Sequence, residues 1–358
     1  MDVTSVDEVR LCADPAEWRP GDSWLAGGTV LYSYGTDITR GAPTRLLDIT
    51  AAGWEPFAWR AVDGGFGLEI AATCRIADLY ALPARPDLPA PRAELPGLDI
   101  VTRACDAFVA SWKIWHVSTV GGNVATALPA GPMISLLSAW DATALILRPD
   151  GTRRTVPVAE LVLAPARTGL GDGELIRSFH VPARSLRETA AFRRISLTER
   201  GRSAALLVGR RTSDTSVRLT VTASTSRPVQ LDLAVPGTDP HAIPADGAAW
   251  RGAIDAAVDG WYDDIHGDPS WRRLMTHRLG DEILAELLPG LATGVDDAIG
   301  RVSGDLSSGS LSEHRAAERD ETGRTRGDHV SSRSPSASSL NDPTSTAPYA
   351  IDDDRSTR

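Results

Sequence analysis

The sequence predicts an α+β protein built in two folded parts and followed by a tail. Glycine pairs sit between apolar stretches and helical patterns in the first part. Four alternating or apolar segments succeed one another in the second. A final stretch is rich in Ser, Arg, Asp, Gly and Pro and nearly without aromatics. A length of 358 residues also exceeds what one compact core ordinarily holds. We place the parts at residues 1–185, 186–292 and 293–358.

In the first part, Val6 to Leu11 reads as a short opening strand. Gly28-Thr29 begins a helix through Tyr32 and Tyr34, and Leu46 to Ile49 returns as a buried strand. Gly64-Gly65, after Asp63 and before Phe66 to Ile70, reads as a hairpin turn. Leu68 to Ala72 is a strand, and Thr73 is expected to cap a helix with Ile76, Leu79 and Leu82 at core spacing. Beyond the proline-rich stretch Pro83 to Pro96, Leu98 to Trp112 reads as one helix. Val101, Ala104, Cys105, Phe108 and Val109 share its inner face. Met133 to Trp140 is a further helix, with Ile134, Leu137 and Ala142 turned inward. Ala144 to Leu147 is a strand, Pro149-Asp150-Gly151 a turn leading into Arg154 to Val156, and Glu174 to Val181 the last strand of this part.

In the second part, Ala190 to Ser196, Ala204 to Arg210, Val217 to Ala223 and Pro228 to Val235 read as successive antiparallel strands. Two helices follow. The second has Asp268 as N-cap and Pro269 in its first turn, with Leu274, Met275, Leu279, Ile283, Leu284 and Leu287 along one side. Pro289-Gly290 stops it. The tail carries too little apolar side chain to offset its ordering entropy, so disorder is expected there.

A formal net charge of −10 argues against nonspecific nucleic-acid binding and against an anionic membrane surface. No apolar run is long enough to cross a bilayer, and Met1 to Ser5 has neither the basic segment nor the apolar core of a signal peptide. A cytoplasmic location is the expectation. Cys12, Cys74 and Cys105 are scattered, which disfavours a zinc or cluster site within this chain. The acidic run Asp263-Asp264-Ile265-His266-Gly267-Asp268 suggests a metal site at first sight, but helix capping and solvated loop charge account for it. No Ser/His/Asp order and no His-x-x-x-His occurs, so no catalytic side chain is assigned.

The glycine pairs carry the chemistry. The first lies in Trp24-Leu25-Ala26-Gly27-Gly28-Thr29-Val30-Leu31, the second in Thr119-Val120-Gly121-Gly122-Asn123. Glycine lets peptide N–H groups face outward and lets a phosphate approach the backbone, and a helix start adds partial positive charge. Each pair alone reads as a simple turn. Together they form a candidate grip on the two phosphates of a dinucleotide. The lack of Gly-x-Gly-x-x-Gly and of a Walker-type Gly-Lys-Ser/Thr disfavours a Rossmann or triphosphate site.

Leu25-Ala26-Gly27-Gly28-Thr29, followed by Leu46-Leu47-Asp48-Ile49, resembles the first FAD-diphosphate segment of the medium subunits of molybdenum hydroxylases. That family includes carbon monoxide dehydrogenase, xanthine dehydrogenase and aldehyde oxidoreductases. Thr119 to Asn123 resembles its second segment, and Ile70 to Leu79 its connecting strand and helix. The resemblance runs in order from about residue 20 to about residue 290. It implies a two-subdomain PCMH-type FAD-binding domain, then a smaller α+β domain. It also implies FAD contacts from Trp24 to Leu31, from Thr119 to Asn123, and from Val109 and Ile176. Arg194 matches a position where relatives often carry a lysine near the flavin. One departure is evident: relatives often place aspartates after the second loop, where Leu128 and Pro132 stand here.

The implied function is electron transfer. A molybdopterin-binding large subunit would oxidise substrate, a small 2Fe-2S subunit would relay electrons, and this chain's FAD would pass them to NAD, oxygen or a quinone-linked carrier. Two other readings remain open: a stand-alone flavoprotein oxidase or reductase, for which Tyr32 and Tyr34 are the candidate proton donors, and a flavin-free scaffold subunit.

Overall fold

In the computed structural model, which describes residues 3–62 and 65–289, three sheets of three or more strands follow one another along the chain. Strands β1 (Glu8–Leu11), β2 (Asp22–Leu25) and β3 (Arg45–Asp48) form a small parallel sheet in the order β1-β3-β2. Parallel neighbours require a crossover, and between β2 and β3 it contains α1 (Thr29–Tyr34). Gly28 and Gly35 flank α1 in left-handed conformations, at φ 67° and 69°. Leu25, Leu31 and Leu46 make the small apolar core here. Across the sheet, the buried Arg45 guanidinium grips Asp22 with both prongs, at 2.9 and 2.5 Å.

The second sheet contains β4 (Phe57–Val62), β5 (Gly65–Ala71), β6 (Thr143–Leu147) and β7 (Arg153–Pro157). After α7 (Val158–Leu161) and the ribbon β8 (Val162–Ala164) with β9 (Arg167–Thr168), β10 (Leu175–Val181) enters its centre, giving the order β4-β5-β10-β6-β7. All neighbours in it are antiparallel. Val62 pairs with Gly65 as the expected hairpin requires, while Asp63 and Gly64 lie outside the described residues. The partly exposed edge strand β4 was not anticipated. Helices α2 (Ile76–Ala81), α3 (Val101–Asp106), α4 (Trp112–Trp115), α5 (Val120–Thr126) and α6 (Pro132–Ala139) contribute to one core with Leu68, Ile70 and Phe179.

Two expectations fail in this part. Arg75, extended and without a side-chain cap bond, precedes α2; Thr73 does not cap it. The single helix expected from Leu98 to Trp112 is broken. A 3₁₀ turn at Pro96–Ile100 leads into α3, which ends at Asp106, and Val109 adopts φ 47°. A β-branched residue in that region cannot continue a right-handed helix.

After α8 (Ala183–Arg187), the third sheet runs in sequence order: β11 (Ala190–Ile195), β12 (Ala205–Arg211), β13 (Ser216–Thr222), β14 (Val229–Ala234) and β15 (Ile243–Pro244). Only the last pairing is parallel. Alternation along the strands divides its side chains between two cores. Leu207, Leu219 and Val221 meet Trp250 of α9 (Gly247–Ala257) and Ile283, Leu284 and Leu287 of α10 (Pro269–Leu287). Phe192, Leu206 and Val208 join the first core instead. There α6, every residue of which is buried, packs on β12 and β13.

Asp268 caps α10 as expected, accepting from the Ser270 and Trp271 amides at 2.9 and 3.0 Å. Leu274, however, is exposed. The buried position near the start of α10 belongs to Arg272, which donates to the Gly267 and Ala204 carbonyls at 2.8 Å and pairs with Asp264. Asp264 of the acidic run is thus an arginine partner, and no group of metal-ligating side chains assembles among the described residues. Gly290 and the expected tail at 293–358 lie outside the described residues. No described helix is long and apolar enough to cross a membrane.

Candidate cofactor site

The two glycine loops meet. Ala26-Gly27-Gly28 turns the chain from β2 into α1, and Ser118-Thr119 leads into α5. Thr29 Oγ1 lies 3.1 Å from Ser118 Oγ. A Cβ on Gly27 would strike the Val117 carbonyl, whose carbon would lie 2.7 Å away. Gly27 therefore sets how closely the loops approach.

Between them opens a cleft of about 890 Å³, within the range of roughly 300–1,000 Å³ usual for small-molecule sites. Its walls include the whole first loop from Trp24 to Leu31, together with Val109, Thr119, Gly121, Gly122, Asn123 and Ile176. The left-handed turn at Val109 brings this residue to the cleft, a location the expected helical stripe had hidden. Two expected contacts are absent from the walls. Val120 is fully buried in the core. Arg194 turns toward its own hairpin, donating to Ser196 Oγ at 3.1 Å and the Gly201 carbonyl at 2.6 Å.

The two loops differ in how many backbone amides they leave free. Among the described residues, the amides of Gly27, Gly28, Thr29 and Val30 donate to no protein acceptor. They are half-buried and stand at the start of α1, where an anion is favoured. In the second loop, Val120 N and Gly121 N each donate at 2.8 Å, to Cys74 O and Ala72 O. Gly122 N donates to Thr119 Oγ1 at 3.0 Å and Asn123 N to Thr119 O at 3.1 Å. Gly121 serves packing: its absent Cβ would lie 2.6 Å from Ala72 Cβ, so glycine seats α5 against the end of β5. What this loop offers a ligand is side chains. Asn123 Oδ1 accepts from Met133 N at 3.1 Å, and its amide nitrogen remains available.

Leu128 and Pro132 line the cleft without supplying a carboxylate. The acids that do line it are engaged: Asp22 by Arg45, Asp37 by Ser23 and Thr39, Asp172 by Arg40, and Glu174 by Arg148 and Arg154. Arg167 and Arg202 bring positive charge with no ion pair among the described residues. Sequence reasoning missed both. They sit in or beside hairpin turns, where no motif marks them.

Glu174 holds the cleft's two sides together. The Trp24 indole donates to its carbonyl at 3.1 Å, tying the small sheet to the start of β10. Its carboxylate accepts from Arg154 at 2.8 and 2.6 Å, from Arg148 at 3.0 Å and from the Gly171 amide at 2.8 Å. The Arg154 hydrogen bonds, against the opposing effect of burial, hold this carboxyl down to about 2. A depressed folded-state value means that the stabilisation is complete above about pH 4.5 and drains away as pH falls toward 2. Discounted for screening at its partly exposed arginines, it amounts to about 1–3 kcal/mol. Glu174→Gln should lose that amount at pH 7 and flatten the acid limb of a stability–pH curve. A wild-type slope between pH 5 and 2 in the variant would rule this out.

Residues 10–184 match the family model described as the FAD binding domain in molybdopterin dehydrogenase. That segment belongs to this family, and FAD is its cofactor. The α+β architecture is shared with solved structures. A carbon monoxide dehydrogenase from Hydrogenophaga pseudoflava, lacking the Mo-pyranopterin moiety of its molybdenum cofactor, has a chain that aligns at 20% identity and TM-score 0.62, over 78% of this chain and 96% of that one. Quinoline 2-oxidoreductase from Pseudomonas putida 86 aligns at 19% identity and TM-score 0.61, over 79% and 97%. Reconstituted CO dehydrogenase from Oligotropha carboxidovorans aligns at 18% and 0.62, over 79% and 97%. At the sequence level, xanthine dehydrogenase 2 of Arabidopsis thaliana is 27% identical over 122 residues, which make up 32% of this chain and 8% of the plant enzyme.

Proposed function

We propose that this chain is the FAD-carrying electron-transfer subunit of a molybdenum hydroxylase-type oxidoreductase. Electrons would arrive from iron–sulfur clusters in a small partner chain, fed by a molybdopterin-binding large one, and leave to an acceptor such as NAD. The observation that carries the reading is the convergence of the free amides of Gly27 to Val30 with Ser118, Thr119 and Asn123 on one cleft. When bound there, FAD supplies the ability to take up an electron pair and release it stepwise.

The chain's own residues then bind and orient. The first-loop amides and the positive end of α1 hold the diphosphate, Asn123 donates from the other side, and Val109 and Ile176 pack against flat apolar surface. Each hydrogen bond to phosphate contributes about 1.5–3 kcal/mol. Arg167 and Arg202 add attraction for the negative charge. The carboxylates of the cleft are committed to protein partners, which fits a chain that positions a cofactor and leaves substrate chemistry elsewhere. Lineage supports the same division, since the matched family consists of FAD domains of molybdopterin dehydrogenases.

Purified protein should carry flavin bands near about 370 and 450 nm. Protein freed of flavin should gain about 4 kcal/mol of stability at a thousandfold excess of FAD over its Kd. Folded, colourless protein whose melting temperature ignores FAD would refute the reading. Pull-down of a molybdopterin chain and an iron–sulfur chain, against recovery of this chain alone, separates a subunit from a stand-alone flavoprotein.

A further inference from the structure

A second cleft, of about 610 Å³, lies on the five-stranded sheet and includes Arg60 of β4, Glu69 of β5, Arg153 of β7 and Arg177 and His180 of β10. Arg177 is the extra residue of a β-bulge: Ile176 pairs with Ile146 and Ser178 with Leu145, leaving Arg177 between them. Bulges re-aim side chains and are frequent beside functional sites. Here the guanidinium is stacked over the Trp54 ring at 4.3 Å. Stacking occupies its face and leaves the edge N–H groups for an in-plane acceptor.

None of those groups finds an acceptor among the described residues. The nearest acid, Glu69, is 3.9 Å from Nη1, beyond hydrogen-bond reach, and is already bonded to Arg60 at 2.8 Å. Arg153 likewise has no hydrogen bond or ion pair among the described residues. Three guanidinium groups thus line a cleft whose one carboxylate is bonded to Arg60 alone among them. We propose that this cleft binds a small phosphate-bearing anion, gripped by Arg177 and Arg153 with Arg60 and His180 beside them. Leu145 and Leu147 supply an apolar wall against which an organic group on the phosphate would rest. Burial lowers the Arg177 guanidinium from its ordinary value; Glu69 opposes this in part, and Arg60 and Arg153 add to the lowering.

This inference does not depend on the flavin reading, and the test keeps them apart. The full chain, saturated with FAD so that the first-loop amides are filled, is titrated by calorimetry with inorganic phosphate and, separately, with glycerol phosphate at constant ionic strength. Saturable one-site binding is expected, weakened roughly tenfold or more by Arg177→Gln and by Arg153→Gln, and unchanged by Arg10→Gln. Arg153 is exposed, so its variant remains informative where Arg177→Gln disturbs the sheet. The tighter of the two ligands identifies a free or an esterified phosphate. Absence of saturation, or equal affinity in wild type and both variants, overturns the proposal, whatever the flavin content.

Discussion

Gly27→Ala is expected to leave the protein folded and nearly empty of flavin. The added Cβ would overlap the Val117 carbonyl, which belongs to backbone and cannot rotate away. The loops must separate, the Thr29–Ser118 contact must break, and the free amides move off the diphosphate. Losing two charge-assisted hydrogen bonds weakens FAD binding by about 100-fold or more. The backbone shift itself costs about 1–3 kcal/mol. Gly252→Ala provides the comparison, since this exposed position in α9 has open space around it and should gain up to about 1 kcal/mol in helix propensity. Flavin content and Kd measured on both variants decide the matter. A Gly27→Ala protein that purifies fully yellow with wild-type affinity would show that the loop spacing is not what holds the cofactor.

Arg210→Ala should produce the largest loss of stability. This side chain is 1% exposed, donates to the Ala139 carbonyl at 2.9 Å and pairs with both Asp141 and Glu188. Arg218 bonds Asp141 from the other side at 3.0 Å, so one network fastens the end of α6 to β12 and β13. Removing Arg210 strands Glu188 and leaves Asp141 to Arg218 and Arg184, at a cost of about 3–5 kcal/mol. For a domain of this size that lowers Tm by roughly 10 °C. Burial already raises Glu188, even with Arg210 opposing it. Without the arginine its folded-state pKa must climb further above the unfolded value, so the folded variant binds more protons. Its deficit should therefore shrink on acidification from pH 7 to 5. A deficit independent of pH would mean that lost packing, and not stranded charge, is responsible.

What the sequence discloses depends on whether the cause is local. The start of α10 is legible because Asp268 and Pro269 satisfy its first turn themselves. The strands β11 to β14 are legible because alternation reports two covered faces. The break after Asp106 is not, since the apolar spacing from Val101 to Val109 fits a helix and only tertiary contacts impose the left-handed residue. Leu274 is exposed and Arg272 buried for a similar reason: a buried arginine is permitted where the carbonyls of Ala204 and Ala223 converge, and these lie at the ends of strands distant in sequence. At the cofactor site, the glycine pairs mark both loops. The partners of their amides are invisible in the sequence, because Ala72 and Cys74 reach the second loop only through the fold.

Because α6 is enclosed on every side, its eight residues have no inside and outside of their own. Ser135 shares a hydrogen bond with Thr222, and the Ser138 carbonyl accepts from Gln230, so the third sheet supplies polar as well as apolar partners to this helix, the buried Ser138 hydroxyl excepted. A gene split after residue 188 would thus yield an N-terminal product with a raw apolar flank, and recombination between relatives should tolerate crossovers there only where the two parents carry matching side chains on both sides of that contact.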